Sequence, residues 1–238
     1  QNKVVTANID IYERYVQIQT KSSIDAKTIK VLNPKEVVFE GGRELELDAV
    51  SEVPRYYVCN AYGVCGIYSA PGTAVKEAYD TSGIVTNDRG VTVWLKGNRV
   101  SRNQIMAIKE ESVTEQKNSL AVCLDNILRH AGITRNTEYD LAQGKTATTI
   151  LSENMTGVQV LDLSGCTLDA VLYYVNQDIP VLAILEDGEA VLVTGFNEFN
   201  VVIMEPATGK LYKKGMNDAT AWFAENGNHF ITYMRTEN

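Results

Sequence analysis

Three short apolar runs follow one another near the C-terminal end of the chain. They cover residues 181–185, 190–194 and 200–204, and each closes at Gly, Asn, Asp or Pro. Short runs of β-branched and other apolar residues between such breakers are typical of buried β-strands. We predict three consecutive strands in one antiparallel sheet, the second and third joined by a hairpin that turns at residues 196–198.

The pattern changes from strand-like to helical in the stretch that precedes these runs. The apolar residues Leu120, Leu124, Ile127, Leu128 and Ala131 recur at helical spacing until Gly132. Either Asn118 or Ser119 is expected to cap this helix. Short helices are predicted at 137–143 and 146–153, a strand at 158–163, a helix after Thr167 and a last strand at 230–234. The fold class predicted from this order is α+β, with helices first and an antiparallel sheet second.

The first hundred residues show alternating apolar and polar positions, which favour strands over helices. We predict that residues 1–105 form a β-rich accessory region. Within it, residues 55–98 have the pattern of a small α+β module made of a hairpin, a helix and a second hairpin. Residues 106–117 are polar and are interpreted as a linker to a C-terminal domain of residues 118–238.

Composition narrows the possible partners. The 238 residues carry a net charge of -8 with a pI near 4.9, and no basic stripe is visible, so a nucleic-acid partner is not expected. No apolar run approaches the roughly 18 residues of a membrane span. No phosphate loop, calcium loop or metal-ligand cluster is recognisable, so neither a cofactor nor a metal is predicted. The chain begins with Gln1, and we expect an extracellular or cell-surface protein whose targeting or anchoring segment is absent from this sequence.

The four cysteines form no disulfide framework. Cys59 and Cys65 flank a predicted turn, so a hairpin would place them opposite each other within disulfide reach, whether or not they are bonded. Cys123 and Cys166 lie among apolar residues, where core positions are expected.

Two acidic residues mark the candidate site. A hairpin folded about Asn197 would set Glu189 opposite Glu205 at its open end. Like charges that face each other across a strand pair are destabilising. A sequence that served stability alone would not favour this pairing, which is why we place a functional site there.

The segments Gly188-Glu189-Ala190-Val191-Leu192-Val193-Thr194-Gly195-Phe196 and Glu205-Pro206-Ala207-Thr208-Gly209 resemble the C-terminal half of the bacteriocin double-glycine leader peptidases, which are papain-like cysteine peptidases. The resemblance implies a papain-like domain over residues 118–238. In that family a His base follows the first Gly and an Asp orienter precedes the Pro. Glu189 and Glu205 occupy these two positions here. The module that begins Tyr56-Tyr57-Val58 distantly resembles the sporulation-related peptidoglycan-binding repeat, although we prefer to interpret it as an accessory packing module.

The resemblance also indicates where a nucleophile would lie. The family's cysteine opens the first helix, and the matching position is Ser119, so all three triad positions depart from the pattern. Cys123 is a competing nucleophile, one helical turn later on the same face, but its apolar neighbours favour a core role. The only histidines, His130 and His229, do not lie where this fold would deliver a base to Ser119. A helix-stabilising role is preferred for His130.

Three functions remain open. The first is a catalytically inactive papain-like domain that binds a peptide or partner protein, as part of a larger surface-associated bacterial protein. The second is an active cysteine or serine hydrolase with a rearranged site, which uses Cys123, or Ser119 with the two glutamates. The third is a purely structural surface module.

Overall fold

The computed structural model describes the backbone of residues 3–9, 14–20, 29–33, 36–39 and 43–46. It describes both backbone and side chains of residues 54–63, 65–97, 105, 108 and 118–236. The chain divides into two compact units, Gln1–Pro54 and Arg55–Asn238.

The first unit contains two small antiparallel sheets. Strands β1 (Lys3–Ile9) and β2 (Arg14–Thr20) pair with each other. Strands β3 (Ile29–Asn33), β4 (Glu36–Phe39) and β5 (Arg43–Glu46) form a three-stranded meander. The β-rich character predicted for this region is therefore present in its described backbone.

The second unit begins with the module predicted from the sequence. Its elements are β6 (Tyr56–Cys59), β7 (Cys65–Tyr68), α1 (Pro71–Thr81), β8 (Ile84–Asn87) and β9 (Thr92–Leu95). The strands form one antiparallel sheet in the order β7-β6-β8-β9. Cys59 and Cys65 are directly paired across the first hairpin, with a Cα–Cα distance of 4.2 Å, and they form a disulfide. The predicted proximity of these cysteines is confirmed.

Helices then precede the main sheet, in the predicted order. Helices α2 (Ser119–His130), α3 (Glu138–Ala142) and α4 (Ala147–Asn154) are followed by strand β10 (Val158–Asp162) and helix α5 (Leu168–Asn176). Strands β11 (Val181–Ile184), β12 (Ala190–Phe196), β13 (Asn200–Glu205) and β14 (Lys210–Gly215) come next. Helix α6 (Met216–Glu225) and strand β15 (His229–Arg235) complete the unit.

The main sheet has six antiparallel strands in the order β10-β15-β11-β12-β13-β14. Strand β12 is buried at all seven of its residues, as expected for a strand covered on both faces. Helices α2 and α5 both pack against it. The predicted α+β class and the predicted single sheet for the three C-terminal apolar runs are confirmed. Among the described residues, no helix combines the length and apolar character needed to cross a bilayer.

The module and the C-terminal elements pack closely within this second unit. The Trp94 indole N–H donates to the Ala170 carbonyl at 3.0 Å, and the Tyr174 hydroxyl donates to the Val93 carbonyl at 3.1 Å. Ile105, at the end of the predicted accessory region, and Ile108, from the predicted linker, are fully buried, and the Ile105 amide donates to the Thr194 carbonyl at 2.8 Å. The rest of the predicted linker lies outside the described residues. The boundary predicted at residues 106–117 therefore falls inside one compact unit.

A close backbone approach defines the contact between α1 and the loop after β10. Gly72 is buried, and a Cβ atom there would lie 3.0 Å from the Ser164 carbonyl oxygen and 3.1 Å from the Asp162 carbonyl oxygen. Backbone atoms cannot yield as a flexible side chain does. A side chain at position 72 must therefore push the helix away from the loop.

We expect Gly72→Ala to lower the free energy of unfolding by about 1–3 kcal/mol. Alanine normally stabilises a helix by about 1 kcal/mol relative to glycine, so a loss would isolate the packing contact. Urea denaturation measures the change, with Thr73→Ala at the neighbouring exposed position as the control. An unchanged or raised unfolding free energy in Gly72→Ala would contradict the close approach.

A cluster of ion pairs connects helices α3 and α4. Lys145 Nζ lies 3.2 Å from Asp140 Oδ1 and 2.6 Å from Glu153 Oε2, and Arg135 Nη2 lies 3.3 Å from Asp140 Oδ2. The side chain of Asp140 is only 8% exposed. The hydrogen bond from Lys145, with that of Arg135, holds the pKa of the Asp140 carboxyl below its usual value.

The lowered pKa of Asp140 predicts a specific pH dependence. A carboxyl whose pKa is depressed by folding stabilises the protein above its unfolded pKa, and this contribution is lost as the pH falls through the folded pKa. We expect Asp140→Asn to reduce stability at neutral pH and to differ little from the wild type in strong acid. Denaturation curves across this pH range test it, with the exposed Glu138→Gln in the same helix as control. A deficit that persists unchanged in strong acid would show that the charge is not responsible.

Candidate functional site

The N-terminus of helix α2 is held by a side-chain cap. Asn118 Oδ1 accepts hydrogen bonds from the Leu120 amide at 2.9 Å and the Ala121 amide at 3.2 Å. Asparagine is among the preferred N-cap residues because its side chain satisfies amides that have no partner within the helix. Of the two caps that the sequence allowed, Asn118 is the one observed. Ser119 becomes the first residue of the helix.

Ser119 is joined to the main sheet by one hydrogen bond. Its Oγ accepts from the Ala190 backbone N–H at 3.0 Å. Ala190 is the first residue of β12 and is buried, whereas Ser119 is half-buried. The serine hydroxyl thus serves as a link between the start of a helix and the start of a strand 71 residues further along the chain.

Glu189 immediately precedes this contact, at the end of the β11–β12 hairpin. The Leu185 amide donates to the Glu189 carbonyl at 2.8 Å, and Gly188 adopts a left-handed φ of 84° in the connecting loop. Glycine takes this conformation without a steric penalty. The Glu189 side chain is exposed, and its negative charge is one cause of the raised Cys123 pKa. Glu189 therefore lies at the same end of α2 as Ser119.

The predicted opposition of Glu189 and Glu205 is wrong. Leu192 pairs with Met204, so continuing this register sets Glu205 against Val191, two residues away from Glu189. The turn lies at residues 197–200, where Asn197 Oδ1 accepts hydrogen bonds from the amides of Phe199 and Asn200. A bulge at residue 194 then shifts the register by one residue. Both features differ from a hairpin centred on Asn197.

Glu205 lies at the C-terminal end of β13, and its contacts are made within the β13–β14 hairpin. It pairs with Lys210 across the β13–β14 hairpin, and its carboxylate accepts a hydrogen bond from the Thr208 hydroxyl at 2.7 Å. These contacts explain the acid before Pro206 as part of a turn. The structure brings Ser119 and the Glu189 segment together, and it places Glu205 in this neighbouring turn.

The two histidines lie elsewhere in the unit. His130 ends α2, eleven residues from Ser119, which corresponds to about 16 Å along the helix axis. Its Nε2 is bonded to the Asp178 carbonyl at 2.6 Å. His229 begins β15 and pairs with Ile184, and Ile184 pairs with Ala190 on its other side. The backbone of His229 is therefore two strands, or about 10 Å in total, away from Ala190 at the candidate site.

Cys123 is fully buried one turn after Ser119. Burial, reinforced by the negative charge of Glu189, raises its pKa well above the usual value. The nucleophilic form of cysteine is the thiolate, so this thiol lacks both access and ionisation. The environment of Cys123 is that of a small apolar core residue.

The arrangement at the start of α2 offers hydrogen bonding and negative charge. A hydroxyl that accepts from a backbone amide needs a base before it can attack a substrate, and a carboxylate is a poor base for an unperturbed serine. Among the described residues, no group of His, Cys, Asp and Glu is arranged to hold a metal ion. The sequence pattern identified Ser119 and Glu189 but contained no signal for the Ala190 amide, which is a backbone group of a distant strand.

We expect thiol titration to separate the cysteines by state. No thiol should react in the native protein, two should react in concentrated guanidinium chloride, and four after reduction, because Cys123 and Cys166 are buried and the other two are bonded. A thiol-reactive chromophore under non-reducing conditions gives the count, and Cys123→Ser identifies that residue's share. A single thiol that reacts rapidly in the native state and disappears in Cys123→Ser would contradict its assignment to the core.

Comparison with known proteins gives one similarity in shape. No protein-family model matches the chain. No curated protein matches it either. Among solved structures, the chain is similar to a Bacillus anthracis protein described as a candidate C39-like peptidase, with a TM-score of 0.49 and 13% sequence identity over 58% of this chain and 100% of the other. This similarity concerns shape alone, and no residue role is transferred from it.

Proposed function

We propose that this chain carries a catalytically inactive papain-like domain that binds a peptide or a segment of a partner protein. Its residues 118–236 have the helices-then-sheet order expected from the resemblance to the leader peptidases. The position of the nucleophile is occupied by Ser119 and that of the base by Glu189. The activity of those peptidases requires a thiolate and an imidazole, and neither is present at these positions.

The hydrogen bond between Ser119 Oγ and the Ala190 amide carries this proposal. It gives the serine a structural task, since the hydroxyl connects α2 to β12 at the place where a nucleophile would have to be free to attack. The remoteness of His130 and the burial of Cys123 support the same conclusion, because each removes an alternative source of base or nucleophile.

The surface around this contact favours a basic ligand. Glu186, Asp187 and Glu189 are all exposed in and beside the β11–β12 hairpin. Three carboxylates on one loop create a local negative potential, which attracts lysine- or arginine-containing segments and sets the orientation of binding. The bound peptide is therefore expected to carry positive charge.

The first test concerns catalysis. We expect no hydrolysis of a fluorescent casein substrate by the wild-type protein, and the same baseline for Ser119→Ala. Hydrolysis by the wild type that is abolished in Ser119→Ala would establish a serine hydrolase and refute the proposal. Hydrolysis abolished in Cys123→Ser would refute it in favour of a cysteine peptidase.

The second test concerns binding. A random peptide library displayed on phage is selected on the wild-type protein, and we expect enrichment of basic sequences. Replacing Asp187 and Glu189 by Lys should weaken a selected peptide by about tenfold or more, since two attractive charges become repulsive. Glu138→Lys, an exposed acid on α3, is the matched control and should leave affinity unchanged. The absence of enrichment, or equal losses in all variants, would favour a purely structural module.

We further propose an extracellular or cell-surface location. The disulfide between Cys59 and Cys65 supports this, because such bonds persist in oxidising compartments and are rare in the cytosol. Four free thiols in protein isolated from its native source under non-reducing conditions would contradict the location.

A further inference from the structure

A cavity of about 460 Å³ lies at the far end of α2 from Ser119. Its wall comes from three separate segments: the C-terminus of α2 with the residues after it, the loop between α4 and β10, and the end of strand β15. This volume falls within the range of small-molecule sites, which is roughly 300–1,000 Å³. The cavity is separate from the candidate peptide site, since about 16 Å of helix divides His130 from Ser119.

One side of the cavity supplies positive charge and a hydrogen-bond donor. Arg235 and Tyr233 lie two residues apart on β15, and so their side chains emerge on the same face of the sheet. Within the described part of the chain, no carboxylate lies at ion-pair distance from Arg235. Burial raises the pKa of Tyr233 to about 12; Arg235 opposes this shift and the negative charge of Asp178 adds to it, so the phenol keeps its proton at neutral pH.

A histidine ring forms another part of the wall. The Asp178 carbonyl can only accept a hydrogen bond, so His130 Nε2 must carry a hydrogen. Its Nδ1 is buried and has no hydrogen-bond partner among the described residues. In the neutral ring this nitrogen is an acceptor, so His130 forms part of the wall but supplies no donor for an anion.

The remaining wall includes three apolar side chains. Ile133, Met155 and Val158 line it, and Met155 is buried. A cavity that combines apolar side chains with a few convergent polar groups is the usual form of a site for a small organic molecule. The donors here are the Arg235 guanidinium and the Tyr233 hydroxyl, which together complement a carboxylate.

We propose that this cavity binds a small organic carboxylate, whose anionic group pairs with Arg235 and Tyr233 and whose apolar part lies against Ile133, Met155 and Val158. This site is additional to the proposed peptide-binding surface and does not depend on it. A ligand here contacts the last turn of α2 and the edge of the main sheet at once.

The experiment titrates benzoate into the isotope-labelled full chain and follows the backbone amides of Thr156 and Gly157, which border the cavity. Benzamide, which matches benzoate in shape but is neutral, is titrated in parallel. We expect saturable shifts of these amides with benzoate and at least about tenfold weaker binding of benzamide, because the charge-assisted contact is lost.

Variants separate the cavity from general charge effects. Arg235→Gln should weaken benzoate binding about tenfold, and Tyr233→Phe should weaken it less, since it removes one neutral donor. Arg89→Gln, at an exposed turn of the module, is the matched control and should bind as the wild type does. Equal affinity for benzoate and benzamide, equal losses in Arg235→Gln and Arg89→Gln, or no saturable shift of the two amides would each overturn the proposal.

Discussion

The contact between helix α2 and strand β12 is the interaction on which the larger unit depends. Helix α2 buries Cys123, Leu124, Ile127 and Leu128 completely, and β12 is buried along its whole length. The Asn118 cap and the Ser119–Ala190 hydrogen bond define where this packing begins. The serine hydrogen bond joins the two elements at this point, and the apolar packing beyond it holds the helix on the strand.

The same contact defines the candidate site. The start of helix α2 meets the start of strand β12, and a neutral hydroxyl that accepts from a backbone amide joins them. The adjacent acid, Glu189, remains exposed to solvent, where a carboxylate is easily hydrated.

The small module contributes to the same unit by packing its helix α1 against strand β10 and helix α5. Trp94 and Tyr174 exchange hydrogen bonds with backbone carbonyls across the contact, and Asn87 and Gln159 join their side chains at 3.1 Å. These polar groups find their hydrogen-bond partners across the contact between the module and the C-terminal elements. Separating the two would also expose the aromatic side chains to water. A role for the module in packing is thus supported by its contacts, and the disulfide between Cys59 and Cys65 closes its first hairpin.

The sequence by itself determined the elements and much of their order. The spacing of Leu120, Leu124 and Ile127 predicted a helix, and the alternating or continuous apolar runs predicted strands, because these periods are properties of the local backbone. The pairing of Cys59 with Cys65 was also predictable, since a short hairpin leaves little freedom of register. The tertiary structure alone decided the site. The turn at 197–200, together with the bulge at Thr194, whose carbonyl accepts from the Ile105 amide, sets Glu205 against Val191 instead of Glu189. The partner of Ser119, and a cavity assembled from three distant segments, likewise depend on packing between parts of the chain that local patterns cannot relate.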